Sequence, residues 1–63
     1  MNEGRWIIVH WYDPNLERLR KQAINLDHVI AVSDLGEQAW IDFSDGKGMS
    51  VSESFDEIGA MIR

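Results

Sequence analysis

The stretch Gly46-Lys47-Gly48-Met49-Ser50-Val51-Ser52-Glu53-Ser54-Phe55-Asp56-Glu57-Ile58 joins a glycine turn, a short alternating strand and the start of a helix. Asp45-Gly46 is a strong hairpin signal, and Gly46-Lys47-Gly48 is expected to form the hairpin loop. In the strand that follows, Met49 and Val51 should point toward the core, because alternate residues of a strand face opposite sides. The stretch therefore predicts a hairpin strand that leads directly into a helix.

The helix carries its own start signal. Ser54 followed by Glu57 matches the capping box, in which each side chain accepts a hydrogen bond from the other residue's backbone N–H. Gly59 lies inside the apolar stripe and costs roughly 1 kcal/mol relative to Ala in a helix interior, so we expect it to mark a close approach to another backbone or a bulky ring. The stripe, at spacing i, i+3 and i+7, consists of Phe55, Ile58 and Ile62.

Upstream of this stretch the chain is predicted to be mostly strand. Residues 5–12 are dense in aromatic and β-branched types, and residues 29–33 begin with four apolar residues and end at Ser33. Residues 39–43 alternate, with Ala39, Ile41 and Phe43 expected to face the core. Between these strands, residues 25–28 contain two Asx residues two positions apart, which favour a turn over a ladder.

The segment 16–24 is ambiguous. Leu16, Leu19 and Ala23 lie at helical spacing, and Asp13 with Pro14 suits a helix start. The same residues suit the second strand of a hairpin, with Leu19 and Ala23 on one side. We favour the hairpin.

Together these elements predict one small α+β domain over residues 1–63. It has an antiparallel sheet of four to five strands, curled toward an SH3-like half-barrel, and one C-terminal helix.

The chain of 63 residues contains no cysteine. A domain of this size buries only about 60% of the surface of its unfolded chain, and chains this short usually add a disulfide, a metal or a partner subunit. Self-association is therefore predicted, with a dimer favoured. An apolar run long enough to span a membrane and a secretion signal are both lacking, so the expected location is the cytoplasm.

Charge is unevenly distributed along the chain. The net charge of −5 opposes non-specific binding of nucleic acid. Residues 1–26 carry four basic and three acidic residues, which gives +1, whereas residues 27–63 carry two basic and eight acidic residues, which gives −6. One part of the chain can therefore attract the other in a second copy.

Several positions between residues 22 and 59 follow a recognisable order: Asn25, then Val29, Ile30 and Val32, then an alternating strand, Gly46, Val51-Ser52-Glu53-Ser54 and Glu57-Ile58. This order resembles the small bacterial flagellar proteins of the FlbD type, which read Asn, an apolar strand, a second strand, Gly, and Val-x-Glu-Ser-x-x-Glu-Val/Ile. The resemblance implies a cytoplasmic, non-enzymatic protein linked to motility or swarming.

No catalytic or cofactor-binding pattern is present. The two histidines, His10 and His28, lack the spacing and the further ligands of a structural zinc site, and neither a nucleophile motif nor a phosphate-binding glycine loop occurs. We therefore expect no catalytic residue, no metal and no cofactor, and we predict that the protein is not an enzyme.

The tryptophans and a basic cluster are the best functional leads. Alternation places Trp6 and Trp11 on opposite faces of one strand, and aromatic residues anchor many protein interfaces. The favoured function is a protein-interaction or assembly module that uses the Trp-rich first strand as an edge and the outer sheet face as contact. The alternative is a nucleic-acid-binding protein built on a small β-barrel. Its aromatic side chains would stack with bases, and its basic side chains would bind phosphates. The candidate interaction residues are Trp6, Trp11, Trp40, Arg18, Arg20 and Lys21.

Overall fold

A computed structural model of the chain describes residues 5–62 and shows an α+β fold with two antiparallel sheets and one C-terminal helix. The elements are β1 (Trp6–Asp13), β2 (Arg18–Asn25), a 3-10 turn (Leu26–His28), β3 (Val29–Asp34), β4 (Ala39–Phe43), β5 (Gly48–Val51) and α1 (Phe55–Ile62). β1 pairs with β2, and β3, β4 and β5 form the second sheet in that order. The predicted class is confirmed, but the strands divide between two sheets that do not close into a barrel.

The first sheet confirms the hairpin prediction for residues 16–24. The register of β1 and β2 runs from Trp6 opposite Asn25 to Asp13 opposite Arg18. The helical spacing of Leu16, Leu19 and Ala23 is misleading, because these three residues are exposed, while Ile24 is the buried residue of β2.

The connection from β1 to β2 is a turn organised by Asp13. Its Oδ1 accepts the N–H of Asn15 at 2.9 Å, and its carbonyl accepts the N–H of Leu16 at 3.2 Å. Glu17 then takes a φ of 53°, in the left-handed region that non-glycine residues seldom occupy. The Asx turn, not a helix cap, is therefore the role of Asp13.

The second sheet follows its predicted pattern closely. Ala39 and Ile41 are fully buried and Phe43 is half-buried. Gly46 has a φ of +88°, and Asp45 Oδ1 accepts the N–H of Lys47 at 2.9 Å. One detail differs from the prediction: Gly48 is the first residue of β5 and not part of the loop.

The core lies between the two sheets and the helix. It contains Ile7, Val9, Ile24, Ala39, Ile41, Val51 and Ile58. Each fully buried aliphatic side chain of this kind contributes about 1.5–3 kcal/mol relative to exposure. A core of seven residues is small, which agrees with the size argument made from the sequence.

Helix α1 has the predicted capping box. The N–H of Glu57 donates to Ser54 Oγ at 3.2 Å, and the N–H of Ser54 donates to Glu57 Oε1 at 2.8 Å. The prediction of a close approach at Gly59 is wrong, because a Cβ at this position would have no neighbouring atom within 4 Å. The helix packs through Ile58, and the next residue points about 100° away. Within residues 5–62 no helix is long and apolar enough to cross a membrane.

Candidate interaction surface

Strand β1 places its two tryptophans on opposite faces, as predicted. Its core face carries the buried Ile7 and Val9, and Trp11 continues that face as a half-buried residue. Trp6 lies on the other face and is 58% exposed. The two rings therefore belong to different surfaces of the hairpin.

We use the name outer face for the side of the β1–β2 hairpin that points away from the core. It consists of Trp6, Ile8, His10 and Tyr12 from β1, with Leu19, Lys21 and Ala23 from β2. Four large apolar side chains on it are about half exposed: Trp6 58%, Ile8 46%, Tyr12 56% and Leu19 53%. Tyr12 stands directly opposite Leu19, and Ile8 lies two residues from Trp6 on the same strand. The four apolar side chains thus form a patch along one face, which the His10–Lys21 pair divides.

The basic residues of β2 are divided between the two faces. Arg20 lies on the core face, where its Nη1 donates to Asp13 Oδ2 at 3.3 Å and its guanidinium lies 5.6 Å from the centre of the Trp11 ring. Arg18 stands opposite Asp13 in the register, and Lys21 stands opposite His10 on the outer face. Two of the six candidate residues, Trp11 and Arg20, are thus in contact with each other.

An open cleft of about 320 Å³ separates the tip of the hairpin from β5. It is lined by Trp11, Tyr12, Gln22, Met49 and Ser50. Next to the cleft, β1 is bonded to Ser52, the residue after β5, whose N–H donates to the carbonyl of His10 at 2.7 Å. Its lining combines the apolar surfaces of Trp11, Tyr12 and Met49 with the polar side chains of Gln22 and Ser50.

Trp40 lies on a third surface, the exposed side of the three-stranded sheet. It is 37% exposed, and its Nε1–H donates to Asp42 Oδ1 at 2.8 Å. The ring covers Gly48 so closely that a Cβ at this glycine would lie 2.6 Å from Trp40 Cζ2. Trp40 is therefore packed flat over its own sheet.

A His–Glu contact that sequence reasoning missed joins the hairpin sheet to the segment between β5 and α1. Glu53 Oε2 lies 2.6 Å from His10 Nδ1, and Glu53 Oε1 accepts the backbone N–H of His10 at 2.9 Å. Burial alone would raise the pKa of Glu53, but the side-chain and backbone hydrogen bonds from His10 outweigh it and leave the pKa lowered. No sequence signal pointed to this pair, because the two residues are 43 positions apart.

The described residues hold no group of three or more His, Asp or Glu side chains placed to bind a metal ion. Within residues 5–62, Glu53 is the one acidic side chain within hydrogen-bond distance of the His10 ring. The pair can fix the orientation of an imidazole, and here that imidazole lies on the outer face beside Ile8 and Tyr12.

Comparison of the chain with protein-family models, with curated proteins and with solved structures finds no match. The resemblance to FlbD-type proteins stays a prediction. The residues that matter most on the outer face, Ile8, Tyr12 and Leu19, were not among the sequence candidates. Alternation within β1 was the signal that could have found them, since it groups Ile8 and Tyr12 with Trp6.

Proposed function

We propose that the protein is a small non-enzymatic assembly module that forms a homodimer through the outer face of its hairpin. The observation that carries this proposal is the patch of Trp6, Ile8, Tyr12 and Leu19, each 46–58% exposed. A fully buried aromatic side chain covers about 150–250 Å², so half-exposed ones such as Trp6 and Tyr12 still offer about half of that area each. Apolar patches of a few hundred Å² on a monomer are commonly functional. On a chain of 63 residues such a patch takes up a large part of the surface.

A second copy is the occupant that best suits this patch. In a two-fold dimer both subunits contribute the same surface. The apolar side chains of one copy would therefore pack against the apolar side chains of the other. The seven-residue core leaves the monomer with little buried apolar area, and a dimer adds to it. This is the remedy that short chains without disulfides commonly use.

Single-stranded nucleic-acid binding is the alternative. Such binding requires several exposed aromatic side chains on one surface, with basic side chains beside them. Trp6, Trp11 and Trp40 lie on three different surfaces, and Arg20 is engaged by Asp13. These placements and the net charge of −5 favour the assembly module. The alternative predicts salt-dependent retention of single-stranded RNA or DNA, and it fails if none binds at low salt.

We further propose that the two sheets form an SH3-like half-barrel, whose seam is the short contact between His10 and Ser52. A cytoplasmic location and a role linked to motility are proposals that rest on the flagellar resemblance of residues 22–59. Neither is needed for the assembly proposal.

Light scattering coupled to size-exclusion chromatography, over a range of protein concentrations, tests the dimer. We expect twice the chain mass for the wild type and a monomer for Leu19→Lys, because the added charge lies within the patch. Ile30→Lys is the matched control: Ile30 is 68% exposed but lies on β3, in the other sheet. Circular dichroism melting checks that both variants fold.

A wild type that stays monomeric at the highest concentration would overturn the proposal. So would equal loss of the dimer in Leu19→Lys and Ile30→Lys, because the contact would then not lie on the outer face.

A further inference from the structure

The outer edge of β2 is open along most of its length. β2 has β1 as its neighbour on one side, and its first six residues are all exposed. An exposed edge strand presents unpaired backbone groups to which another strand can add. The edge differs from the outer face, because backbone groups, not side chains, define it.

The hydrogen bonds of His10 identify which groups of β2 point outward. His10 N–H donates to Glu53 and its carbonyl accepts from Ser52, so both backbone groups of His10 are turned away from β2. Lys21 stands directly opposite His10. In an antiparallel ladder the two members of a pair either both bond to each other or both direct their backbone groups outward, so the N–H and C=O of Lys21 point away from β1. By alternation, Leu19 and Ala23 also direct their backbone groups outward.

Within residues 5–62, no hydrogen bond is made to these outward groups of Leu19, Lys21 and Ala23. Three pairs of strand donors and acceptors are thus available on one edge.

Cations flank this edge on both faces. Arg18 and Arg20 lie two residues apart on the core face, and Lys21 lies on the outer face beside Leu19. Arg20 keeps free donors, since only Nη1 is bonded to Asp13 and its side chain is 49% exposed. Opposite charges on adjacent strands stabilise the pairing. The strand that fits here is therefore acidic.

A second copy of β2 does not fit the edge. Antiparallel pairing of two β2 strands about a two-fold axis would bring the Arg18, Arg20 and Lys21 side chains of both copies into one ladder. Like charges on paired strands are destabilising, and lysine on an edge strand is a common protection against self-pairing.

We propose that the β2 edge binds an extended acidic segment of another protein by strand addition. The segment has the pattern acid, apolar, acid. Its two acidic side chains lie beside Arg18 and Arg20, and the apolar side chain between them lies beside Leu19. Backbone hydrogen bonds to Leu19, Lys21 and Ala23 hold the segment. The edge shares Leu19, Lys21 and Ala23 with the outer face. Strand addition uses their outward backbone groups, whereas the homodimer uses side chains, so the two kinds of binding can be measured separately.

The test is a titration of ¹⁵N-labelled full-length protein with the capped peptide Glu-Val-Glu-Val-Glu, followed by NMR. We expect shifts and slowed exchange at the amides of Leu19, Lys21 and Ala23, weaker at high salt, and none with Lys-Val-Lys-Val-Lys. Exposed ion pairs contribute about 0.2–1 kcal/mol, so Arg18→Gln should weaken binding by about 1.4- to fivefold. Lys47→Gln, which removes a cation from the β4–β5 turn, should leave it unchanged.

Two further comparisons isolate the backbone contact. Ala23→Pro removes an outward N–H without touching the β1 ladder, since proline is tolerated on edge strands, and it should abolish binding. Because this variant can fail to fold, a peptide N-methylated at the residues that face β2 provides the same test on wild-type protein. Unchanged affinity for the methylated peptide would overturn strand addition. No shift at any salt, or shifts confined to Trp6 and Tyr12, would overturn the proposed site.

Discussion

The carboxylate of Glu53 holds His10 at two points, with Oε1 accepting the backbone N–H at 2.9 Å and Oε2 lying 2.6 Å from Nδ1. The carbonyl of His10 accepts a third hydrogen bond, from Ser52 N–H at 2.7 Å. His10 is thus the point at which the hairpin sheet is tied to the segment between β5 and α1. It also lies on the outer face, so the same residue belongs to the seam and to the proposed dimer surface.

We predict that Glu53→Gln lowers the free energy of unfolding at neutral pH. Hydrogen bonds that involve a charged group contribute about 1.5–3 kcal/mol when buried, and partial exposure of His10 reduces this here to about 1–2 kcal/mol. Urea unfolding of the two proteins measures the difference. Glu37→Gln, at an exposed turn position, is the control for removing an acid and should have no effect. Equal losses in the two variants would contradict a specific role for Glu53.

The contribution of Glu53 should also depend on pH. Its pKa is lower in the folded protein than its ordinary value of 4.5, so the unfolded chain binds the proton more readily. The stabilisation is therefore fully present above pH 4.5 and is lost as the pH falls through the lowered pKa. The gap between wild type and Glu53→Gln, measured from pH 7 downward, should close in that window. A gap that is constant with pH would contradict the prediction.

Trp40 and Gly48 lead to a steric prediction. A Cβ at Gly48 would lie 2.6 Å from Trp40 Cζ2 and 2.9 Å from Nε1. We expect Gly48→Ala to push the indole off the sheet, to break the bond from Nε1–H to Asp42, and to cost about 1–3 kcal/mol by overpacking. Thermal unfolding and a red shift of tryptophan emission measure these effects. Gly48→Ala with wild-type stability and emission would show that the ring does not rest on Gly48.

Gly59 should behave in the opposite way. A Cβ there meets nothing within 4 Å, and the residue lies inside α1. Replacing an unconstrained helical glycine with alanine removes backbone freedom from the unfolded chain, so Gly59→Ala should stabilise by about 0.5–1 kcal/mol. Denaturant unfolding gives the value directly. A loss of stability would indicate that Gly59 is needed for a close contact after all, as its position in the apolar stripe first suggested.

Local sequence was sufficient for most of the elements. The alternation around Ile41, the Asp45-Gly46 turn and the Ser54 cap each specify structure through neighbours a few residues away, and all three appear as predicted. The helical spacing of residues 16–23 is equally local. This segment forms a strand and not a helix, because pairing with β1 and burial of Ile24 favour the strand.

The candidate site was only partly predictable. Alternation gave the opposite placement of Trp6 and Trp11 from sequence alone. The contact of His10 with Glu53, and the packing of Trp40 on Gly48, depend on how separate strands approach each other, which no local pattern records. The sequence suggested the Trp-rich β1 as an edge, and β1 and β2 are both edges of their two-stranded sheet. The bonds of His10 to Glu53 and Ser52, which no local pattern records, occupy part of the β1 edge.

The last prediction concerns how firmly Asp13 holds Arg20. Asp13 is 7% exposed, and its Oδ1 organises the turn at Asn15 while its Oδ2 accepts from Arg20 at 3.3 Å. Asp13→Asn keeps a turn acceptor but removes the charge, whereas Asp13→Ala removes both interactions. We expect the alanine variant to lose about 1–2 kcal/mol and the asparagine variant less.

A double-mutant cycle of Asp13→Asn with Arg20→Gln, followed by urea unfolding, measures the ion pair itself. Because Arg20 is half exposed, the coupling should stay below about 1 kcal/mol. Arg20 would then be available to an acidic strand on β2 at little cost to the turn. A coupling above about 2 kcal/mol would mean that Asp13 holds Arg20 too tightly for it to take part in such binding, and that Arg18 and Lys21 alone recognise the acidic segment.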